Sequence, residues 1–139
     1  MLNLVTHGST LQGVSDNMEL KLFSSKYLAD INKWLTAHGK TQVELVDMPS
    51  LGFVAENVAA GFLRQGEYMG VIDAIITNPE ASSEDRNLAL DLIFERLVIT
   101  SKQCNIKVLF GFSEDEHTLS RSERYGFKKS DMTLMVRGI

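Results

Sequence analysis

The most regular pattern of apolar and polar positions lies in residues 68–103. Residues 68–77 are rich in β-branched and apolar side chains, carry one acid, Asp73, near the middle, and end at Asn78 and Pro79. β-Branched residues favour strands, and a proline stops the ladder of hydrogen bonds that a strand needs. The pattern therefore predicts a buried central strand that ends at the proline.

A long helix is predicted directly after this strand. Ser82 can cap its N-terminus, and Asp85, three residues on, can return a hydrogen bond to the backbone N–H of the cap residue. Apolar side chains cover much of the helix surface between Leu88 and Ile99. The polar residues form a narrow stripe, namely Asp91, Glu95, Arg96 and Thr100. A helix with so narrow a polar face is expected to lie against a sheet.

The chain before the central strand predicts an antiparallel meander. Residues 51–56 and 58–64 have strand composition, and short links join them to each other and to residues 68–77. Ahead of them, the apolar spacing from Phe23 onward predicts a one-sided helix that ends at Gly39. This helix should also pack on the sheet.

Four more segments complete the prediction. Residues 2–6 are a short strand candidate, and residues 107–112 form an apolar run that predicts a buried strand. Because a crossover helix precedes it, the strand at 107–112 should lie parallel to the central strand. A helix over residues 113–125 and a last strand over residues 132–136 follow. Together the elements predict a single α/β domain over residues 1–139, with a twisted, mixed, mostly antiparallel sheet and helices on both faces.

Composition narrows the classes of function. With Cys104 as the only cysteine, the 139-residue chain can form neither an intrachain disulfide nor a multi-cysteine metal site. We found no secretory signal pattern and no stretch of membrane-spanning length, so a cytoplasmic location is expected. The formal charge of −4 makes nucleic acid an improbable partner. The basic residues that do gather lie late in the chain: Arg121, Arg124, Lys128 and Lys129.

These motifs resemble the GNAT superfamily of acyl-CoA N-acyltransferases. In that family the fourth strand carries an acid six residues before a strand-ending proline, as Asp73 stands before Pro79 here. A helix then begins with Arg/Gln-x-x-Gly-x-Gly/Ala, and residues 84–89 stand at that place in a degenerate form in which Ala89 matches. Residues 53–56, Phe-Val-Ala-Glu, and residues 125–127, Tyr-Gly-Phe, resemble two further landmarks. The resemblance implies a GNAT-like fold.

The resemblance also implies a reaction, acyl transfer from acetyl-CoA to an unidentified amine acceptor on a small molecule or a protein. Asp73 would be the base, and backbone N–H groups near Ile75 and Ile76 would stabilise the oxyanion. In the family a tyrosine often supplies the proton for the thiolate. That position here is Ser122, and the neighbouring Tyr125 is the other candidate.

The cofactor would bind along the same strand and at the start of the following helix. The resemblance places the pantetheine arm between the splayed parallel strands, against Ile75, Ile76 and Thr77. The diphosphate would meet the helix N-terminus, because the bare N–H groups there attract phosphate. The residues of that turn are Arg86, Asn87, Leu88 and Ala89.

A rival hypothesis is a GNAT-fold binding or assembly module that has lost its chemistry. Glu80, Glu84 and Asp85 crowd the predicted diphosphate site and would repel a diphosphate. A serine hydroxyl at position 122 is also far less acidic than a phenol. The module would be a phage accessory or virion-associated protein in the host cytoplasm, with a protein partner. On this hypothesis Asp73 is a structural acid that bonds to backbone or to a basic partner.

Two aromatic residues of the first predicted helix have two possible roles. In the family, the segments that precede the second strand line the groove for the acceptor substrate. The resemblance therefore allows Tyr27 and Trp34 to contact the substrate. Large aromatic side chains at helical spacing also fit the core, and core packing is the favoured interpretation.

Overall fold

A mixed sheet organises the computed structural model, which describes residues 18–49 and 51–139. In these residues five strands lie in the order β1 to β5. Their bounds are Lys21–Leu22 (β1), Leu51–Ala55 (β2), Ala59–Gln65 (β3), Met69–Thr77 (β4) and Val108–Gly111 (β5). Neighbouring strands are antiparallel from β1 to β4, and β4 and β5 are parallel. The predicted mixed, mostly antiparallel sheet is confirmed.

Helices cover both faces of the sheet, as predicted. They are α1 (Leu28–Ala37), α2 (Ser83–Gln103) and α3 (Glu116–Arg124). Helix α1 packs on one face through a cluster that includes Ile31 and Phe62, and α2 packs on the other through a cluster that includes Ile93 and Leu97. The cap of α2 is also confirmed, because the Ser82 hydroxyl accepts a hydrogen bond from the Asp85 N–H at 3.0 Å.

The two aromatic residues whose role the sequence did not decide, Tyr27 and Trp34, belong to the core. Tyr27 and Trp34 are both buried in the cluster under α1, together with Ile31 and Ile76. The Tyr27 hydroxyl donates a hydrogen bond to Glu56 Oε2 at 3.0 Å, which satisfies the polar end of the ring. The core-packing interpretation is therefore confirmed.

Two boundaries differ from the prediction. The first helix does not begin at Phe23, because the Phe23 N–H donates to the carbonyl of Gly52 at 2.8 Å and this stretch extends strand β1. A 3-10 turn over Ser25–Tyr27 leads into α1 instead. The helix then ends at Ala37, and Gly39 follows with a φ of +73°, a conformation that suits glycine.

The predicted strand over residues 132–136 is wrong. These residues adopt no regular structure, and Met135 is 89% exposed. Their mostly apolar side chains predicted a strand, but a strand gains its stability from a paired neighbour and a buried face, and within the described chain this segment has neither. The strand candidate over residues 2–6 lies outside the described residues.

The cluster under α2 makes a direct prediction about stability. Leu97 is fully buried there, so Leu97→Ala should lower the free energy of unfolding by about 2–5 kcal/mol through lost burial and a cavity. Leu119 on α3 is 36% exposed, and Leu119→Ala is the matched control, expected to cost about 0.5 kcal/mol or less. Urea unfolding checks both variants, and equal losses would contradict this description of the core.

Candidate functional site

Strand β4 contains one residue more than its partner. Phe62 of β3 lies opposite Ala74, but the next residue, Leu63, lies opposite Ile72, so Asp73 has no partner across the ladder. This is a β-bulge, which bends a strand and increases its local twist. The acid singled out from the sequence is therefore the bulged residue.

Strand β5 stops pairing with β4 at the same level. The last parallel pair is Ile72 with Gly111, whereas β4 continues to Thr77. Along residues 73–77 the described chain pairs β4 with β3 alone. The edge of β4 that faces away from β3 is therefore unpaired along residues 73–77 among the described strands, and we call this unpaired edge the cleft.

The register shows which backbone groups face this cleft. The Asn78 N–H donates to the Val58 carbonyl at 2.8 Å, so these two residues form a hydrogen-bonded pair. Such pairs alternate along an antiparallel ladder, and the amide of Ile76 therefore points to β3. The intervening residues Ile75 and Thr77 direct their N–H and C=O groups away from β3, towards the cleft.

His38 stands at the end of this free edge. Its Nε2 lies 2.9 Å from the Thr77 carbonyl oxygen and 3.4 Å from Thr77 Oγ1. The sequence did not single out this histidine, because a polar residue between the last turn of a helix and Gly39 is typical of a helix end. Only the approach of α1 to β4 places it at the cleft.

Asp73 is held by an arginine on the neighbouring strand. Arg64 donates to Asp73 Oδ2 from Nε at 3.0 Å and from Nη2 at 2.8 Å. The Asp73 side chain is 38% exposed, and Arg64 is 55% exposed. Arg64 Nη2 also donates to the Asp47 carbonyl at 3.2 Å. Arg64 follows Phe62 by two residues, so this pair lies on the α1 face of the sheet.

A shallow depression of about 590 Å³ adjoins this ion pair. It lies between the loop that precedes β2 and the turn that joins β3 to β4. Its lining residues are Met48, Pro49, Leu63, Arg64, Gln65, Gly66 and Glu67. The depression is open to solvent, and polar surface makes up most of its lining.

Hydrogen bonds within residues 78–86 hold the turn that precedes α2. Arg86 Nη1 donates to the carbonyls of Pro79 at 2.8 Å and Ala81 at 2.9 Å. The Asn78 side chain accepts from the Glu80 N–H at 2.9 Å, so the turn is tied at both ends. The Arg86 charge therefore stays beside the helix N-terminus but is already bonded to backbone. Of the other predicted diphosphate residues in this helix, Ala89 is buried and Leu88 is half-buried.

A buried arginine joins α3 to α2. Arg121 donates to Asn87 Oδ1 at 2.9 Å, to the Asn87 carbonyl at 3.3 Å, and to Asp91. Arg124 lies 3.5 Å from the same Asp91 carboxylate. Two members of the basic cluster found in the sequence, Arg121 and Arg124, thus connect α3 to α2. The side-chain oxygen of Asn87 already accepts a hydrogen bond from Arg121.

The two hydroxyls proposed as thiol acids are also bonded to backbone. The Ser122 hydroxyl donates to the Thr118 carbonyl at 2.8 Å, and the Tyr125 hydroxyl donates to the Asp91 carbonyl at 3.1 Å. Burial, together with the nearby charges of Asp91 and Glu95, raises the pKa of Tyr125 to about 12. A phenol with this pKa is a weak proton donor. The role of thiol acid stays a prediction for either residue.

The described residues give no sign of a metal site or a membrane span. Residues 18–49 and 51–139 contain no group of three or more His, Cys, Asp or Glu side chains that could hold a metal ion. No helix within them is long and apolar enough to cross a membrane.

Solved acetyltransferases share this fold. A GNAT-family acetyltransferase of Streptococcus pneumoniae is 13% identical, with a TM-score of 0.63 over 87% of this chain and 99% of that chain. A candidate acetyltransferase of Agrobacterium tumefaciens is 12% identical, with a TM-score of 0.67 over 87% and 100% of the two chains. An aminoglycoside 6′-N-acetyltransferase of Acinetobacter haemolyticus is 13% identical, with a TM-score of 0.59 over 88% and 99%.

At these identities the likeness shows that the chain has the GNAT fold. No protein-family model matches the chain, and no curated protein matches it in sequence. The predicted GNAT-like fold is therefore confirmed, and the chemistry has to be argued from the site.

The raised pKa of Tyr125 makes a prediction about alkaline stability. The folded protein holds this proton more tightly than the unfolded chain, in which a tyrosine has a pKa near 10. The contribution to stability is therefore complete below pH 10 and is lost as the pH rises towards 12. At pH 9, Tyr125→Phe should cost about 0.5–1.5 kcal/mol for the lost hydrogen bond.

That difference between the wild type and Tyr125→Phe should shrink as the pH rises above 10. Urea unfolding at a series of pH values measures it, and Tyr68→Phe, which alters an exposed tyrosine, is the matched control. A constant difference up to pH 12 would contradict the raised pKa.

Proposed function

We propose that the protein is an acyl-CoA-dependent N-acyltransferase, with acetyl-CoA as the donor and an amine as the acceptor. One observation carries the proposal: beyond the bulge at Asp73, strand β4 presents an edge along residues 73–77 that β5 does not pair. Its N–H groups at Ile75 and Thr77 and the Ile75 carbonyl can pair with the amide groups of a pantetheine arm as a neighbouring strand would, whereas the Thr77 carbonyl already lies 2.9 Å from His38 Nε2. The N-terminus of α2 lies at the same end of β4, since only residues 78–82 separate them.

The residues present fit the two ends of the donor unequally. The β4 edge offers N–H and C=O groups in the alternation that an extended amide chain requires. The helix N-terminus offers N–H groups and a favourable dipole to a diphosphate, but Glu80 and Glu84 are exposed there, and Arg86 is bonded to the turn. The pantetheine end therefore fits well, and the diphosphate end is weakened by like charge.

The bound thioester supplies an electrophilic carbonyl carbon, which the acceptor nitrogen attacks to form the new amide bond. The carbon–sulfur bond breaks, and the thiolate that leaves takes a proton from water. The Ile75 N–H, which the register directs away from β3, donates to the carbonyl oxygen as negative charge develops there. Asp73 takes the proton from the acceptor nitrogen, either directly or through a water molecule. Because Arg64 occupies Oδ2 alone, Oδ1 of Asp73 is the atom that receives the proton.

A second candidate is a binding module that keeps the fold without transferring an acyl group. The observation that favours it is the closed turn before α2, in which Arg86 bonds to the carbonyls of Pro79 and Ala81 while Glu80 and Glu84 stay exposed. This turn is complete without a ligand. Donor binding separates the two candidates, because the module needs none.

Calorimetric titration with acetyl-CoA and with acetyl-pantetheine, which lacks the diphosphate, tests the proposal. Glu84→Gln removes one repelling charge from the helix N-terminus and should tighten acetyl-CoA binding about 3- to 10-fold at low salt. Binding of acetyl-pantetheine should not change. Glu123→Gln on α3 is the matched control and should leave both affinities unchanged. No heat from acetyl-CoA at millimolar concentration in any variant would contradict the proposal and favour the module.

A further inference from the structure

We infer that Arg64 is a positioning residue for acyl transfer, which fixes the Asp73 carboxylate so that one oxygen is presented to the acceptor amine. The inference rests on the proposed function. Arg64 lies outside the degenerate helix motif, and it contacts Asp73 on the α1 face of the sheet.

The bulge explains why Asp73 needs such a partner. Asp73 is the bulged residue and has no residue opposite it in β3. Phe62 lies opposite Ala74, and the next residue, Leu63, already lies opposite Ile72. Its side chain is also partly exposed, so core packing does not fix it. The two bonds from Arg64 are what hold the carboxylate in the structure.

Both bonds end on the same oxygen. Nε and Nη2 of Arg64 contact Oδ2 of Asp73 at 3.0 and 2.8 Å, and Oδ1 has no hydrogen-bond partner among the described residues. Two donors of a planar guanidinium that is itself bonded to the Asp47 carbonyl hold Oδ2 in one position, which a flexible ammonium does not reproduce. The arrangement leaves Oδ1 fixed in direction and free to accept a proton.

Arg64 also sets the face from which the acceptor arrives. Its Nη2 bonds to the Asp47 carbonyl, in the loop that walls the depression beside the ion pair, and Arg64 itself lines that depression. An amine bound in this depression would reach Asp73 from the side of Arg64, whereas α2 covers the other face of the sheet. This separates the acceptor from the helix that would meet the diphosphate.

The test compares Arg64→Gln and Arg64→Lys with Lys21→Gln, which removes the cation of another exposed ion pair. Steady-state turnover is measured with acetyl-CoA and with spermidine, an aminoglycoside and a lysine-containing peptide as amine probes. Arg64→Gln should lower kcat about 10- to 100-fold, because the base is no longer held in place. The KM for acetyl-CoA should stay within about twofold, and Asp73→Asn sets the size of the full loss.

Arg64→Lys should recover little of the lost activity, because an ammonium keeps the charge but not the two-donor fork. A readout independent of turnover is the set of Hα–Hβ coupling constants of Asp73 measured by NMR. They should report one χ1 rotamer in the wild type and in Lys21→Gln, and an average of rotamers in both Arg64 variants.

Unchanged couplings in Arg64→Gln overturn the inference, whatever the turnover. An unchanged kcat in Arg64→Gln also overturns the inference, provided that the wild type turns over the amine probes. If the wild type binds no acetyl-CoA, the proposed function fails. In that case the catalytic part of the inference falls with it, and the couplings still decide whether Arg64 orients Asp73.

Discussion

The candidate site depends on one extra residue in strand β4. Asp73 has no partner in β3, and the parallel pairing with β5 ends at the residue before it. A bulge increases local twist, so the end of β4 can diverge from β5 only beyond this point. The cleft, the free amides of Ile75 and Thr77, and the exposed carboxylate all begin at that residue.

The two faces of the sheet give this edge different neighbours. Helix α2 covers one face and brings its N-terminus to the end of β4, where its dipole favours an anion. Helix α1 covers the other face, where Arg64 holds Asp73 beside an open depression. On the proposed function, the donor and the acceptor would reach the unpaired edge of β4 from different sides. The buried Arg121 keeps α3 against α2, so these positions do not depend on the exposed chain beyond Phe127.

Local sequence patterns predicted the elements well where burial decides the structure. The meander, the capped long helix and the parallel pairing of β5 with β4 are confirmed. The burial predicted for residues 107–112 is wrong, because Val108 is 45% exposed and Phe112 is 66% exposed. The strand predicted over residues 132–136 does not form, because its apolar side chains find no paired strand and no buried face among the described residues. The spacing from Asp73 to Pro79 located the acid, but the bulge is a property of pairing register and is invisible in one strand. His38, Arg64 and Arg121 were missed or misread because their partners are distant in sequence.

The central claim is that the free edge of β4 binds the acyl donor through its backbone. Amide hydrogen exchange, followed residue by residue with and without acetyl-CoA, tests it most directly. Our account predicts slower exchange at Ile75 and Thr77 on adding the donor and little change at Ile76, whose N–H already faces β3. Unchanged exchange at Ile75 and Thr77 with saturating acetyl-CoA would contradict it.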